Sequence, residues 1–272
     1  MSLDYRPYQR IAEQVALEAG ALLKDAYGRV AAREKRPGDL VTDADLASQR
    51  LIAARLLDAF PDHTLLAEEE GVGPDPSRPF RWVVDPLDCT INFAHGFPFW
   101  CVSIALEHEG RLVAGVVHNP LSGETFSASE RQGATRNGQA LRVSGANTLG
   151  ACLISTAIPT DFPESADVQM AYFRRFSTGT HSVRRTGSSA LNLALLAAGG
   201  FDICYATFMN PWDAAAGVVL VREAGGTVTG LSGQPYDLYG DEILATNSLV
   251  HPEALSALDE ARGTLPPEAP GR

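Results

Sequence analysis

The sequence predicts a mixed α/β protein, with an α+β half over residues 1–150 and an α/β half over residues 151–263. In the first half, two helical patterns precede several adjacent strand patterns, which is typical of helices packed on an antiparallel sheet. In the second half, strand and helix patterns alternate, which is typical of an α/β layer. Residues 264–272 contain three prolines and are predicted to be a disordered tail.

Two amphipathic helices are predicted near the start of the chain. The first covers residues 5–27 and ends at Gly28, and its apolar stripe is Ile11, Val15, Ala19 and Leu22. The second follows a cap by Thr42 or Asp43, which places Asp45 in its first turn. Its buried stripe is predicted to be Leu46, Ile52, Leu56 and Phe60.

The strands that follow are short and are separated by turn signals. In the first half they are predicted at "HTLLA", "RWVVD", "CVSIALEH", "RLVAGVVHN" and "GETFSAS". The stretch "HEG" and the pair Asn137-Gly138 predict tight turns. The later strands are predicted at 151–156, 202–207, 226–229 and 243–246, and the later helices at 188–198, 211–224 and after the last strand.

The composition excludes several classes of protein. The chain has 272 residues, 45% of them hydrophobic, so it can bury a core and is not predicted to be disordered. A net charge of −11 without a sustained basic run argues against nucleic acid as the main partner. Charges interrupt residues 1–30 and no apolar run reaches membrane-spanning length, so neither a signal peptide nor a membrane segment is expected. Four cysteines without C-x-x-C spacing predict reduced thiols in a cytoplasmic protein.

Acidic residues stand at the ends of predicted elements in four places: Asp45, the run Glu68 to Glu70, the pair Asp85 and Asp88, and Asp213. Taken singly, each has a structural explanation, because helix first turns and solvated loops favour acids. The pair in "WVVDPLD" is different, since two carboxylates beside a buried strand repel each other unless a cation lies between them. Oxygen ligands of this kind suit Mg²⁺ or Mn²⁺, and the lack of a Cys/His cluster argues against zinc.

The residues after Asp88 predict a phosphate site. "CTINF" can open a short helix whose free amides would hold a phosphate without a lysine. The sequence has no G-x-S-x-G elbow, Walker-type loop or H-E-x-x-H motif. Carboxylates beside amide donors therefore predict a metal-bridged phosphate ester.

Five motifs in order make the chain resemble the inositol monophosphatase family: "DLVTDAD", "AEEEG", "WVVDPLDCTINFAHGFPFWCVSIAL", "GSSALNLALLAAGGFD" and "NPWDAAAGVVLVREAGG". The resemblance implies a layered α/β/α/β/α sandwich of the sugar-phosphatase type. It also implies a lithium-sensitive homodimer that acts on a small phosphorylated substrate. The composition, as above, gives no reason to expect nucleic acid or a membrane as a main partner.

The resemblance implies two or three Mg²⁺ per site, with Mn²⁺ as an alternative ion. Glu68, Asp85 and the Leu87 carbonyl would hold one ion, and Asp85, Asp88 and Asp213 a second. Glu68, helped by Glu69, would hold a third, weaker ion.

The implied catalytic residues are Glu68, Thr90 and Asp45. Thr90 and Glu68 would orient the attacking water, and Asp45 would support Thr90. The second ion and the amides of Cys89 and Thr90 would stabilise the charge that develops on oxygen. The implied substrate-binding residues are Leu87, Asp88, Cys89, Thr90, Gly187, Ser188, Ser189 and Asp213. Capping of a helix is an equally good role for Ser188.

Two positions depart from the family pattern. Cys89 stands where the family usually has glycine, and we predict a negative φ there because a helix begins at this point. Ala206 stands where enzymes that prefer inositol phosphate often carry a glutamate, which weakens the expectation of inositol specificity.

The function implied is Mg²⁺-dependent hydrolysis of small phosphate monoesters by two-metal activation of water, with inositol monophosphate as the leading substrate. Alternatives within the family are a 3′-phosphoadenosine nucleotidase, a fructose-1,6-bisphosphatase and a histidinol phosphatase. An alternative of another class is a non-catalytic partner protein that keeps the fold.

Overall fold

A computed structural model describes residues 3–29, 32–36, 39–69, 78–158 and 166–265. The helices within these ranges are α1 (Arg6–Ala26), α2 (Asp43–Ala59), α3 (Thr90–Ala94), α4 (Ala166–Ser177), α5 (Ser189–Ala197), α6 (Pro211–Glu223) and α7 (His251–Arg262). None of the described helices is both long enough and apolar enough to cross a bilayer.

The first half builds two sheets. A small hairpin pairs β1 (Ala32–Arg36) with β2 (Asp39–Thr42). A seven-stranded sheet consists, in spatial order, of β3 (Thr64–Ala67), β4 (Phe80–Asp88), β5 (Cys101–His108), β6 (Arg111–Asn119), β7 (Glu124–Ser129), β8 (Ala134–Arg136) and β9 (Gln139–Ala140). Every pairing in this sheet is antiparallel except that of β3 with β4.

The second half builds a five-stranded sheet. Its strands are β10 (Leu153–Ala157), β11 (Ser182–Arg184), β12 (Ile203–Thr207), β13 (Thr227–Thr229) and β14 (Glu242–Thr246). Their spatial order is β11-β10-β12-β14-β13. β10 pairs parallel with β11 and β12. β14 pairs antiparallel with β12 and β13.

Helices and sheets stack in five layers. α1 and α2 pack on one face of the seven-stranded sheet, α5 and α6 lie between the two large sheets, and α4 and α7 pack beyond the five-stranded sheet. The predicted α/β/α/β/α sandwich is therefore confirmed.

The two central helices are apolar on nearly every side because both faces meet a sheet. All residues of α6 from Ala214 to Val221 are buried. Gly115 of β6 allows the close approach, since a Cβ there would lie 2.6 Å from the Ala216 carbonyl oxygen. The chain segments that carry the site are thus held on a tightly packed support.

Most predicted elements are confirmed within a few residues, and the hairpin turn at Asn137-Gly138 is present. The β1–β2 hairpin, α4 and β11 were not predicted, because β1 is rich in charge and β11 has only three residues. In α2 the structure buries Ser48 and Gln49, whereas Leu46 and Phe60 of the predicted stripe are only half-buried. The four cysteines are free thiols, as predicted.

The predicted division at residue 150 stays a prediction. The central core takes Val83 and Cys101 from one side of that boundary, and Leu193 and Ile243 from the other. The predicted tail lies outside the described residues from position 266 onward.

Candidate active site

A bulge at the end of β4 brings two carboxylates to one face of the sheet. Asp85 pairs with Ser103 and Asp88 pairs with Cys101, so three steps along β4 oppose two steps along β5. In a regular strand, residues three apart would point to opposite faces. The extra residue cancels this alternation and places both carboxylates on the same side.

The bulge is held by hydrogen bonds from its own backbone and from α2. The amide of Leu87 donates to Asp85 Oδ1 at 3.0 Å. Ser48 Oγ, on α2, donates to the carbonyl oxygen of Pro86 at 2.8 Å. Leu87 is fully buried, and its carbonyl oxygen lies 3.4 Å from Thr90 Oγ1. The geometry of this segment is therefore set by its contacts and not by Pro86 alone.

Asp213 reaches the same place from the first turn of α6. Its Oδ2 accepts hydrogen bonds from the amide and the side-chain Nδ2 of Asn210, at 3.1 and 3.2 Å. Carboxylate oxygens of Asp85, Asp88 and Asp213 all lie within 4.8 Å of one another. Two segments that are distant in sequence, the end of β4 and the start of α6, thus converge on one acidic cluster.

Asp88 also connects the seven-stranded sheet to the start of α5. Its Oδ2 accepts hydrogen bonds from Ser188 Oγ at 2.5 Å and from the amide of Ala190 at 2.8 Å. The thiol of Cys101 lies 3.6 Å from the same oxygen. Ser188 caps α5 as well, since its Oγ accepts from the Leu191 amide at 3.2 Å. The cap role that the sequence left open for Ser188 is therefore present together with its contact to the acidic cluster.

The acids in the cluster hold their protons more tightly than usual. Burial, followed by the charges of Glu68, Asp88 and Asp213, raises the pKa of Asp85 well above its usual range. Burial and the charge of Asp88 raise the pKa of Asp213 to about 7. Burial also raises the pKa of Asp88, although hydrogen bonds from Ser188 and Ala190 oppose the shift.

The donor set fits a hard divalent cation. In the described part of the chain no lysine or arginine forms an ion pair with Asp85, Asp88 or Asp213, and this cluster contains neither histidine nor cysteine ligands. Three mutually repelling carboxylates need positive charge to be ionised together. Oxygen donors of this type suit Mg²⁺ better than zinc.

Glu68 lies close enough to Asp85 for its charge to act on it, and is half-buried after β3. The amide of the next residue, Glu69, donates to Gln49 Oε1 at 3.0 Å. Glu70 lies outside the described residues. The structure thus brings Glu68 near the cluster, and its role as a ligand stays a prediction.

Thr90 and Asp45 form a buried pair. Thr90 Oγ1 donates to Asp45 Oδ1 at 2.8 Å, while Asp45 Oδ2 accepts from the amide of Thr42 at 2.9 Å and from its hydroxyl. Thr42 is therefore the helix cap, and Asp45 closes a capping box. Burial raises the pKa of Asp45 despite these hydrogen bonds.

The prediction of a negative φ at Cys89 was wrong. Its φ and ψ are 71° and 61°, in the left-handed region, although it directly precedes α3. A helix cap usually has extended backbone, but this cap directly follows the bulge of β4 and has the left-handed conformation instead. A side chain in this conformation costs roughly 1–2 kcal/mol. Burial raises the pKa of the thiol to about 12, so it remains protonated.

Gly187 has to be glycine in this setting. Its φ is 104°, and a Cβ there would lie 2.7 Å from both Cys89 Sγ and Asn92 Nδ2. Asn92 Nδ2 itself donates to the carbonyl oxygens of Phe99 and Thr186, at 2.7 and 2.9 Å. This bridge between α3 and the segment before α5 was missed, because nothing in the local sequence marks it. The capping role of Asn210 was also missed, although "NPWD" carries the spacing of a capping box.

Ser189 and Ala206 line a small cavity between α5 and the carboxyl end of β12. Ala206 is buried and pairs with Ile243 and Ala157 on the neighbouring strands. His95 is exposed. The predicted substrate contacts thus lie around the acidic cluster, and their roles stay predictions.

The five layers and the buried acidic cluster between them define a layered α/β protein of the sugar-phosphatase type. The chain belongs to the inositol monophosphatase family, whose family model matches residues 4–262.

Similar proteins carry names of two kinds. An inositol-1-monophosphatase of Synechocystis sp. is 40% identical over 257 residues, which cover 94% of this chain and 90% of the relative. A protein of Pseudomonas aeruginosa named Nus factor SuhB is 38% identical over 250 residues, covering 89% and 92%. The solved structure of inositol monophosphatase from Anabaena is 36% identical, with a TM-score of 0.88, and covers 98% of this chain and 99% of that one.

Proposed function

We propose that this chain hydrolyses small phosphate monoesters with Mg²⁺ as its cofactor, with inositol monophosphate as the leading substrate. The observation that carries the proposal is the convergence of Asp85, Asp88 and Asp213 within 4.8 Å. Buried acids that repel one another at this distance are stabilised by divalent cations, and Mg²⁺ bound in this way is well suited to phosphate chemistry.

Five groups would hold the cations: Glu68, Asp85, the Leu87 carbonyl, Asp88 and Asp213. When bound, the ions neutralise charge on the phosphate and activate water. Asp85 is held by the Leu87 amide, and Asp88 by Ser188 and Ala190, so these ligands are fixed before any cation binds. Such preorganisation avoids reorganisation at the moment of reaction.

Thr90 is proposed to orient the attacking water. Because its hydroxyl donates to Asp45, its oxygen can accept a hydrogen bond from water. Asp45 is buried and tied to Thr42, so it keeps the threonine in one rotamer. The water attacks phosphorus, the bond to the ester oxygen breaks, and the alcohol and inorganic phosphate leave. No covalent phosphoenzyme is part of the proposal.

The site residues indicate the reaction more firmly than they indicate which alcohol the phosphate ester carries. Ala206 offers a methyl group where a hydroxyl-rich substrate would need a hydrogen-bond partner. A 3′-phosphoadenosine nucleotidase, a fructose-1,6-bisphosphatase and a histidinol phosphatase therefore remain alternatives. Lithium sensitivity and a homodimer rest on the family resemblance, and a cytoplasmic location rests on the four cysteines; all three belong to the proposal.

A partner protein without catalysis is the second candidate. One observation favours it: relatives of similar identity carry the name Nus factor SuhB. Cys89 has left-handed backbone where the family usually has glycine, and this strain would be tolerated more easily in a protein without catalysis. The complete acidic cluster, in contrast, favours the enzyme.

The test is phosphate release from inositol, fructose, adenosine and histidinol phosphates with Mg²⁺ present. We expect chelation or Asp88→Asn to abolish release from every ester. Asp58→Asn, a change of an exposed acid on α2, is the matched control and should leave the rates unchanged. Turnover that persists in the Asp88→Asn protein would overturn the assignment of the ligands, and no release from any ester together with no Mg²⁺ binding by calorimetry would favour the partner protein.

A further inference from the structure

A cavity of about 320 Å³ lies beside the last turns of α6, at the end of this helix that is farther from the acidic cluster. Asp213 is in the first turn of α6 and Arg222 is in the last, so the rise of the helix separates the two residues by about 13 Å. The start of β6 and the segment between β13 and β14 complete the walls. The cavity is therefore separate from the predicted phosphate site.

The walls of the cavity combine one aromatic ring with aliphatic side chains. Tyr236 and Leu238 come from the segment between β13 and β14, Val219 lies on α6, and Leu112 lies on β6. Tyr236, Leu238 and Leu112 are half-buried and pack against the central core. Because the core holds these side chains in place, they offer a preformed surface to the apolar part of a small ligand.

Arg222 places a guanidinium without an acidic partner at this cavity. Within the described part of the chain, this guanidinium forms neither an ion pair nor a hydrogen bond, and its Cζ lies 5.9 Å from the centroid of the Tyr236 ring. Arg222 can be reached from solvent, yet neighbouring atoms bury its charge enough to lower its pKa. A planar guanidinium that has lost part of its hydration in this way can bind a carboxylate through two parallel hydrogen bonds.

The other charged side chains at the cavity already have partners. Arg111 Nη1 donates to Glu130 Oε1 at 2.7 Å. The carboxylate of Glu223 accepts from the amides of Arg131 and Gly133, both at 2.8 Å. The guanidinium in the last turn of α6 is therefore the group that is left to pair with a ligand.

We propose that this cavity binds a small aromatic carboxylate. The carboxylate pairs with Arg222, and the ring packs on Tyr236 between the aliphatic side chains. One negative charge on the ligand matches one cation without a partner, whereas the charge of Glu223 repels a ligand with two negative charges. The cavity thus takes a class of ligand different from the phosphate esters of the proposed reaction, and its occupation requires no divalent cation.

The probe for this site is para-fluorobenzoate, followed by fluorine NMR while it is titrated into the full-length protein with Mg²⁺ present. We expect saturable binding with a Kd of about 1–10 mM, and the same Kd in the presence of a chelator. para-Fluorobenzamide, which keeps the ring without the charge, should bind about tenfold more weakly. In chelator, para-fluorophenyl phosphate should also bind more weakly than the carboxylate, because it carries a second negative charge.

Variants of the two binding groups test where the probe binds. Arg222→Gln should raise the Kd by about tenfold, and Arg222→Lys should raise it less, because lysine keeps the charge without the planar fork. Tyr236→Phe keeps the ring and should leave the Kd unchanged, whereas Tyr236→Leu should raise it by about fivefold. Arg174→Gln, which removes an exposed cation from α4, is the matched control and should leave the Kd unchanged.

Three outcomes would overturn the inference. The first is a Kd in Arg222→Gln equal to that of the unmodified protein, and this comparison stands even if Tyr236→Leu proves unfolded by circular dichroism. The second is loss of binding in chelator, which would place the carboxylate on cations at the acidic cluster. The third is the absence of saturable binding up to about 50 mM probe.

Discussion

Replacing Asp213 with asparagine should stabilise the protein when no divalent cation is present. Asparagine keeps an oxygen that can accept from the Asn210 amide, so the start of α6 is preserved. It removes one negative charge from a cluster whose carboxylate oxygens lie within 4.8 Å of one another. The perturbation therefore separates the cost of the charge, which comes from burial and from repulsion by Asp88, from helix capping.

The size of the effect follows from two arguments. At 4.8 Å and an effective dielectric constant of about 20, one pair of like charges costs about 3 kcal/mol. Independently, the pKa of Asp213 rises from 3.8 to about 7, which corresponds to about 4 kcal/mol once the group is ionised. Because Asp213 is only partly buried, we expect a gain of about 2–4 kcal/mol at pH 8 in the presence of a chelator.

The sign depends on pH. Between pH 3.8 and about 7 the folded state binds more protons at Asp213 than the unfolded state does. The free energy of unfolding of the unmodified protein therefore falls as pH rises through this window. The advantage of the variant should be absent near pH 4 and complete near pH 8.

Thermal denaturation followed by circular dichroism tests this prediction. In chelator at pH 8 we expect the Tm of Asp213→Asn to exceed that of the unmodified protein by roughly 5–10 °C. Mg²⁺ at about 1,000 times its Kd should reverse the order, because a cation that binds only the folded state then stabilises the unmodified protein by about 4.1 kcal/mol, which exceeds the expected gain of the variant. Asp58→Asn should follow the unmodified protein under both conditions. A variant that is less stable in chelator, or that gains as much from Mg²⁺, would refute the argument.

Three further predictions follow from other parts of the fold. Thr90→Val should lower kcat by about 10²-fold with little change in KM, and Thr90→Ser should recover most of the rate, because only the hydroxyl orients water; a loss in KM alone would contradict this role. His63→Phe should flatten the fall in stability below pH 6.5. Burial lowers the pKa of His63 in the folded protein to about 4, so protonation of the unfolded chain below pH 6.5 lowers the free energy of unfolding by about 2–3 kcal/mol. Unchanged acid denaturation curves would contradict this prediction. Gly187→Ala should destabilise the protein by more than about 2 kcal/mol through contact with Cys89 Sγ, and Cys89→Gly in the same chain should recover part of that loss; strictly additive unfolding energies would show that the two sites do not touch.

The pattern of apolar residues was enough to predict most of the fold. The helix α1 has a strong helical period, α2 has a clear N-terminal cap, and α5 and α6 have long buried runs. The strands β4 to β7 alternate or are continuously apolar. β1, with its charged residues, and β11, with three residues, carry no such signal. Their formation depends on neighbouring backbone, which a local pattern does not contain.

Two backbone conformations show most clearly what the local sequence pattern did not predict. The sequence places Cys89 directly before a helix, and the usual extended cap was the natural expectation. The structure instead has Cys89 in the left-handed region, and Phe208, which directly follows β12, has the same backbone conformation. The direction in which a chain must leave a bulge or a strand is set by its tertiary neighbours, so local preference is overridden there.

The sequence by itself determined the element types, the acids available to a metal, and the family resemblance. The resemblance implied that Asp85, Asp88 and Asp213 meet and that Asp45 supports Thr90, and only the tertiary structure decided how: the bulge turned Asp85 and Asp88 to one face, and α6 brought Asp213 to within 4.8 Å of them. It also decided that Ser188 holds Asp88. The physical reason is that local periodicity sets which face of an element is buried, whereas contacts between distant segments depend on how whole layers pack.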